Sequence, residues 1–182
     1  DRPALVHSNV TDIDPEGRPD IVCDAREMHT LPPSSYAAIY CSHNLEHFAP
    51  HDVPRVLAGF RHVLRDDGFV EIRVPDVRAV VGQMFVAGHD FEDVHYVSAA
   101  GAVTYRDTLY GYAPKVAEHD YWGHKTAFSA KTLRAALARA GFPYAAPLKP
   151  RNWEIAVAAF PNDPSAQVRQ LLRLDGGSPA SA

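Results

Sequence analysis

No Gly-x-Gly occurs among the 11 glycines of this sequence, and the earliest glycine is Gly17. The fingerprint that lets a backbone approach a nucleotide closely is therefore missing. Cysteine is equally scarce. Cys23 and Cys41 are the only two, and both fall in short apolar stretches read as strands. Two buried free thiols exclude a disulfide scaffold and point to a reducing compartment, cytoplasmic by default. No apolar run approaches the roughly 20 residues that span a bilayer. The opening DRPALVHSNV lacks the basic patch and apolar core of a signal peptide. Lys and Arg are scattered, and the net charge is −4, so no basic stripe marks a nucleic-acid groove. A small-molecule substrate is expected, with no nucleic acid and no membrane as partner.

What is present describes an ordinary globule: 182 residues, 46% hydrophobic and 22% charged. That length fits one domain, which would bury about 70% of its unfolded surface. Ala4 to Ile13 contains a short β-prone piece ending in Asp12-Ile13-Asp14-Pro15, followed by a turn at Pro15 and Gly17. Ile21 to Cys23 reads as a brief strand ending at Asp24. Met28 to Ser35 reads as loop, with Pro32-Pro33 preventing helix. Tyr36 to Cys41 is small and apolar on both faces, as expected of a strand covered by helices on each side.

Asp52 is placed to cap a helix in which Pro54 is tolerated in the first turn. Val53, Leu57, Phe60 and Leu64 form its core-facing stripe, and Gly68 is expected to end it as a left-handed cap. Phe69 to Val74 is a strand stopped by Pro75, and Val77 to Phe85 a second helix. Ser129 should cap a further helix, with Leu133, Ala136, Leu137 and Ala140 inward and Gly141 as the stop. Phe142 to Leu148 and Trp153 to Phe160 read as closing strands. Pro161 to Pro164 is a linker, Val168, Leu171 and Leu172 suggest a short helix, and Gly176 to Ala182 a disordered tail.

Residues 87 to 127 show no sustained period yet hold many histidines and aromatic residues. A long irregular segment inside a domain is more often a lid or binding insertion than a connector. Tyr110, His119 and Trp122 are the expected substrate contacts, since aromatic bodies with polar tips can enclose a small molecule. The same aromatic content would also serve an interface in a homodimer. The remaining histidines and aromatics of the segment are expected to pack as its interior.

Strand-end residues Asp24, Ser42, His43 and Asp76 suggest an open α/β sheet whose ligand crevice lies beyond the strand carboxyl ends. From Asp12 to Phe160 the pattern resembles class I S-adenosylmethionine-dependent methyltransferases, especially the small-molecule group called type 11. The resemblance rests on the acidic strand ends Asp12 and Asp24, on Leu31-Pro32, and on Ser42-His43-Asn44-Leu45-Glu46-His47. It continues in Leu64-Arg65-Asp66-Asp67-Gly68, Phe128-Ser129 and Ala140-Gly141-Phe142. It implies a doubly wound, mostly parallel Rossmann-like sheet in residues 1–160, with 87–127 as insertion and 161–182 as a C-terminal extension. It also implies S-adenosylmethionine as cofactor and methyl transfer to a small molecule. Asp12, with Asp14 as the near alternative, would take the ribose hydroxyls. Asp24 and Ala25 would meet the adenine, and Ser42 and His43 would lie under the methionine part. His43 and His124 are the expected catalytic side chains, because a histidine titrates near neutrality and can accept a proton.

One departure stands out. In the family the glycine loop precedes the ribose acid by about 20 residues, whereas eleven residues precede Asp12 here. The family's first strand lies between its second and fourth, so its absence would leave unpaired backbone on both sides. A segment ahead of Asp1 is the simplest expectation, with a strand from a partner chain or a rearranged sheet as alternatives. Two rivals follow. One is a non-catalytic binding module that kept the fold and lost the loop. The other is a zinc hydrolase, since His43-Asn-Leu-Glu46-His47 matches H-x-x-E-H. That chemistry needs both histidines on one helix face. A strand just before His43 and Pro50 just after argue against a helix there, so no metal is expected.

Overall fold

The computed structural model describes residues 9–174. Two short strands, β1 (Thr11–Asp12) and β2 (Ile21–Val22), pair in parallel. The main sheet contains β3 (Tyr36–Ser42), β4 (Leu64–Pro75), β7 (Tyr144–Pro147) and β8 (Glu154–Phe160), in the order β3-β4-β8-β7. β3 and β4 are parallel, and β8 closes the sheet antiparallel to both β4 and β7. This is an α/β fold with parallel strand pairs at its front. Among the described residues β1-β2 and β3-β4-β8-β7 are separate sheets, with a break between them. Across it, the Asn9 amide donates to the Tyr36 hydroxyl at 3.3 Å.

α1 (Val53–Val63) covers one face of the main sheet. Its 3–4-residue spacing buries Val53, Val56, Leu57, Phe60 and Val63, and Leu64 follows them inward. They pack against Val70, Ile72 and Val74 of β4, which alternate with Glu71 and Arg73 on the opposite face. α5 (Ala130–Arg139) completes the layer with Leu133 and Leu137. Ser129 and Thr132 form its capping box, and Gly141, at φ +92°, turns the chain out of it.

Some expectations are corrected. Met28 to Thr30, expected as loop, belong to a 3-10 turn over Ala25–Thr30 that starts where Asp24 accepts from the Arg26 amide. Pro32-Pro33 ends that turn instead of preventing it. β3 is not covered on both faces. Ile39 and Cys41 point inward, whereas Ala38 and Tyr40 are exposed, because β4 is its only partner strand among the described residues. Asp52 precedes α1 without a side-chain cap; its carboxylate lies 3.5 Å from Arg26 instead. The tail from Gly176 and the residues ahead of Asn9 lie outside the described residues.

Gly68 is no helix cap either. α1 ends at Val63, and Gly68 sits within β4 where a Cβ would lie 2.6 Å from the Ala37 carbonyl oxygen. Backbone of β3 cannot yield cheaply, so the position demands glycine for close approach. Gly68→Ala is expected to cost about 1–3 kcal/mol through overpacking. A urea midpoint unchanged from wild type would show that β3 moves freely.

The stretch after α2 (Val77–Ala87) is also more regular than its sequence suggests. It holds a hairpin of β5 (Val94–Ser98) and β6 (Gly101–Thr104), then α3 (Tyr105–Tyr110) and α4 (Ala113–Glu118). Thr104 and Asp107 form a capping box that starts α3. His95 is buried between Tyr105 and Trp153, with ring centroids 4.4 and 4.0 Å away, as expected of a packed interior. α6 (Ala166–Leu171) closes the described chain. Among the described residues no helix is long and apolar enough to cross a membrane.

Candidate active site

Register decides the first part of the site. Thr11 pairs with Ile21 and Asp12 with Val22, and the Cys23 amide donates to the Asp12 carbonyl at 2.9 Å. Asp12 and Asp24 therefore lie side by side at the carboxyl ends of parallel strands. Their carboxylates are not equivalent. Asp12 is exposed; among the described residues its Oδ1 accepts the Asp14 amide, at 3.0 Å, and its Oδ2 has no partner and can accept from a diol. Asp24 is held by Arg26, whose Nε and Nη2 donate to Oδ2 at 3.0 and 2.6 Å. That hydrogen bonding keeps the Asp24 carboxyl below its usual range against the opposing effect of burial. Asp12 fits a ribose-binding role as it stands; Asp24 fits an adenine-binding role only when Arg26 shares it. Ala25 begins the turn beside them and packs against the core.

The parallel pairing of Ser42 with Arg73 places the ends of β3 and β4 at one edge. Asp76, however, spends its side chain on the Arg78 amide as the cap of α2. After Ser42 the chain turns sharply: His43 sits at φ +49°, and Leu45–His47 forms a single 3-10 turn. His43 and His47 thus share no helix face, so the H-x-x-E-H run lacks the hydrolase geometry.

The turn points Glu46 inward, leaving its side chain 2% exposed. His43 Nδ1 is 3.4 Å from Glu46 Oε1, an ion-pair distance, but neither Glu46 oxygen has a partner in hydrogen-bond geometry. The other His43 nitrogen lies 3.3 Å from Glu154 Oε2. His43 is exposed, and Glu46, then Glu154, raise its pKa against a partial desolvation of the ring. Glu154 is in turn fixed by Arg73, at 2.5 Å, and by the Arg151 amide, at 2.6 Å. Burial opposes ionisation of Glu154, yet these donors and His43 hold its pKa below the usual carboxylate range.

From the insertion, His124 reaches this turn. Its ring centroid is 4.9 Å from that of His47, and Trp122 lies 6.4 Å from His47 on another side. Backbone bonds lock the approach: the Lys125 and Thr126 amides both donate to the Glu46 carbonyl. Burial pushes the His124 pKa down, keeping the ring neutral and able to accept a proton. Tyr110 and His119 are not brought in with them. Tyr110 is exposed, His119 stacks on Tyr121, and neither side chain hydrogen-bonds Ser42 or His43. Cys41 is excluded from nucleophilic work, since burial pushes its thiol up to about 12.

The sequence reading missed Glu154 and Arg73 altogether, and gave Glu46 and His47 no role of their own beyond the Ser42–His47 stretch of the resemblance and the hydrolase pattern. A buried glutamate opening an otherwise apolar last strand was the one available signal for Glu154.

An α/β sheet with paired acids at the ends of parallel strands defines a nucleotide-binding class. The family model described as "Methyltransferase domain" matches residues 3–146. The chain belongs to that family of methyl-transferring enzymes, whose cofactor is S-adenosylmethionine. Two solved structures are similar in fold. A SAM-dependent methyltransferase from Archaeoglobus fulgidus superposes with a TM-score of 0.51 at 15% identity, over 82% of this chain and 73% of that one. The PH0226 protein from Pyrococcus horikoshii OT3 gives 0.51 at 15%, over 85% and 74%. A search of curated proteins gives no match to this sequence.

Proposed function

We propose that the protein methylates a small-molecule acceptor in a crevice bounded by the ends of β1, β2 and β3 and the 123–128 segment. The observation that carries this reading is the Asp12–Val22 register, which leaves an exposed carboxylate beside Asp24 at the end of a parallel pair. S-adenosylmethionine, when bound, supplies an electrophilic methyl group on a sulfonium sulfur. Asp12 accepts the two ribose hydroxyls, a task suited to a carboxylate with free lone pairs. Asp24 and the backbone at Ala25 border the adenine, and Ser42 and His43 line the methionine end.

The rest of the work is alignment, because in-line displacement gains most from holding nucleophile and methyl group close. Glu46 and then Glu154 favour the charged form of His43, which stands exposed at the crevice mouth. His124, neutral and half-buried, is the group suited to take a proton from the acceptor. Trp122, edge-on to His47 at 6.4 Å, is assigned as a wall of the acceptor pocket. Tyr110 and His119 are assigned to the outer rim, where they would touch an acceptor only if it extends from the crevice.

Asp12→Ala tests the reading. Loss of the diol acceptor should weaken S-adenosylmethionine binding by about 1–3 kcal/mol, measured by calorimetry. Unchanged affinity in Asp12→Ala together with a loss in Asp14→Ala would move the role to Asp14. Unchanged affinity in both would remove it from this strand end.

A further inference from the structure

Glu46 presents an unresolved demand. Its carboxylate is 2% exposed; His43 lies at ion-pair distance, 3.4 Å, but among the described residues neither oxygen accepts an aligned hydrogen bond, so the cost of burying it is only partly offset. Two further imidazoles, from separate segments, lie close to it. One donor atom each from Glu46, His47 and His124 lie within 4.8 Å of one another. A cation with bonds of about 2.0–2.1 Å sets its donors about 3.3 Å apart, so modest ring rotations would close the set.

One of the histidines is prepared for this. His47 Nδ1 lies 3.2 Å from the Gly123 carbonyl, so it carries the proton and leaves the Nε2 lone pair free. Metal-binding histidines commonly donate their second nitrogen to a backbone carbonyl in this way. Beside Glu46 and His124 is a cavity of about 10 Å³, bordered by Thr108, Leu109 and Phe128, room for about one water or one ion.

We propose that Glu46, His47 and His124 bind one divalent first-row cation of the zinc type. Two imidazoles and one carboxylate match that borderline class rather than magnesium or calcium, which select all-oxygen sets. Three protein ligands leave a coordination position for water or an acceptor oxygen. The site replaces the expectation of a metal-free run at residues 43–47, and it uses His124 in place of His43. It changes one assignment of the methyl-transfer reading: in the metal-bound protein the His124 lone pair is committed to the cation, so His124 accepts a proton only in the metal-free protein.

The test uses the protein freed of metal by a chelator, then titrated with Zn²⁺ alone and Co²⁺ alone. The expected result is one Zn²⁺ per chain and visible Co²⁺ bands typical of nitrogen and oxygen ligands. Glu46→Gln, His47→Ala and His124→Ala should each weaken Zn²⁺ binding at least about tenfold, while His51→Ala, at an 83% exposed side chain, should not. Zn²⁺ should also raise the melting midpoint of wild type but not of His124→Ala. If Glu46→Gln does not fold, the two half-buried histidines still decide. Zn²⁺ bound equally well by His47→Ala and His124→Ala, or no stoichiometric binding by wild type, would overturn the site. Metal content is read without turnover. A missing metal leaves methyl transfer standing with His124 as proton acceptor, and missing transfer leaves a bound metal standing.

Discussion

Phe60→Ala is expected to lower the unfolding free energy by about 3–5 kcal/mol, the usual cost of emptying a buried aromatic site. Phe60 is 3% exposed and lies in the seam where α1 meets β4 and α5. Its neighbours Val56, Leu57, Val63 and Ile72 are fully buried and held by helix and sheet hydrogen bonds. They cannot collapse into the space without breaking those bonds, which places the cost in the upper part of the range. Domains of this size carry about 5–15 kcal/mol in total, so the variant should show a much lower urea midpoint. A loss under about 1 kcal/mol would mean that α1 is not seated as described.

The second large effect should come from Glu154→Ala, at about 3 kcal/mol. Removing one member of a buried pair leaves the other charge desolvated, typically costing about 3–5 kcal/mol. Glu154 and Arg73 side chains are 6% and 11% exposed, and Glu71 still pairs with Arg73 at 2.7 Å, which sets the value at the low end. The pH dependence has a definite sign. The folded-state pKa of Glu154 is depressed, so its contribution is fully present above the unfolded carboxyl value of about 4.3. It is lost as pH falls through the lower folded value. The gap between wild type and Glu154→Ala should therefore be widest near neutrality and shrink in acid. A gap that grows on acidification would contradict the assigned pairing.

Local rules made part of this fold legible. The stripe Val53, Leu57 and Phe60 named a buried helix face because its spacing matches 3.6 residues per turn, while Leu64, read as its fourth member, is buried as the first residue of β4. Ser129 and Gly141 marked the ends of α5 because capping chemistry acts within a few residues. Asp12 and Asp24 were legible as strand ends for the same reason. Gly68 was misread, since a glycine after a helix looks like a cap unless the approaching Ala37 carbonyl is known. The meeting of Glu46 with His124 was hidden for a different reason. It depends on amides of Lys125 and Thr126 bonding the Glu46 carbonyl, a contact between distant segments that leaves no periodic trace. Glu154 was hidden similarly, its partners Arg73 and His43 coming from β4 and from the turn after β3. The hairpin of β5 and β6 lacked the Asn-Gly or Asp-Gly turn that announces such units.

The most direct measurement is an amide chemical-shift map of the ¹⁵N-labelled protein titrated with S-adenosylmethionine. The expected perturbations centre on Asp12, Asp24 and Ala25, extend to Ser42 and His43, and leave α6 unchanged. Perturbations confined to other surfaces, or none at saturating cofactor, would contradict the assignment of the crevice.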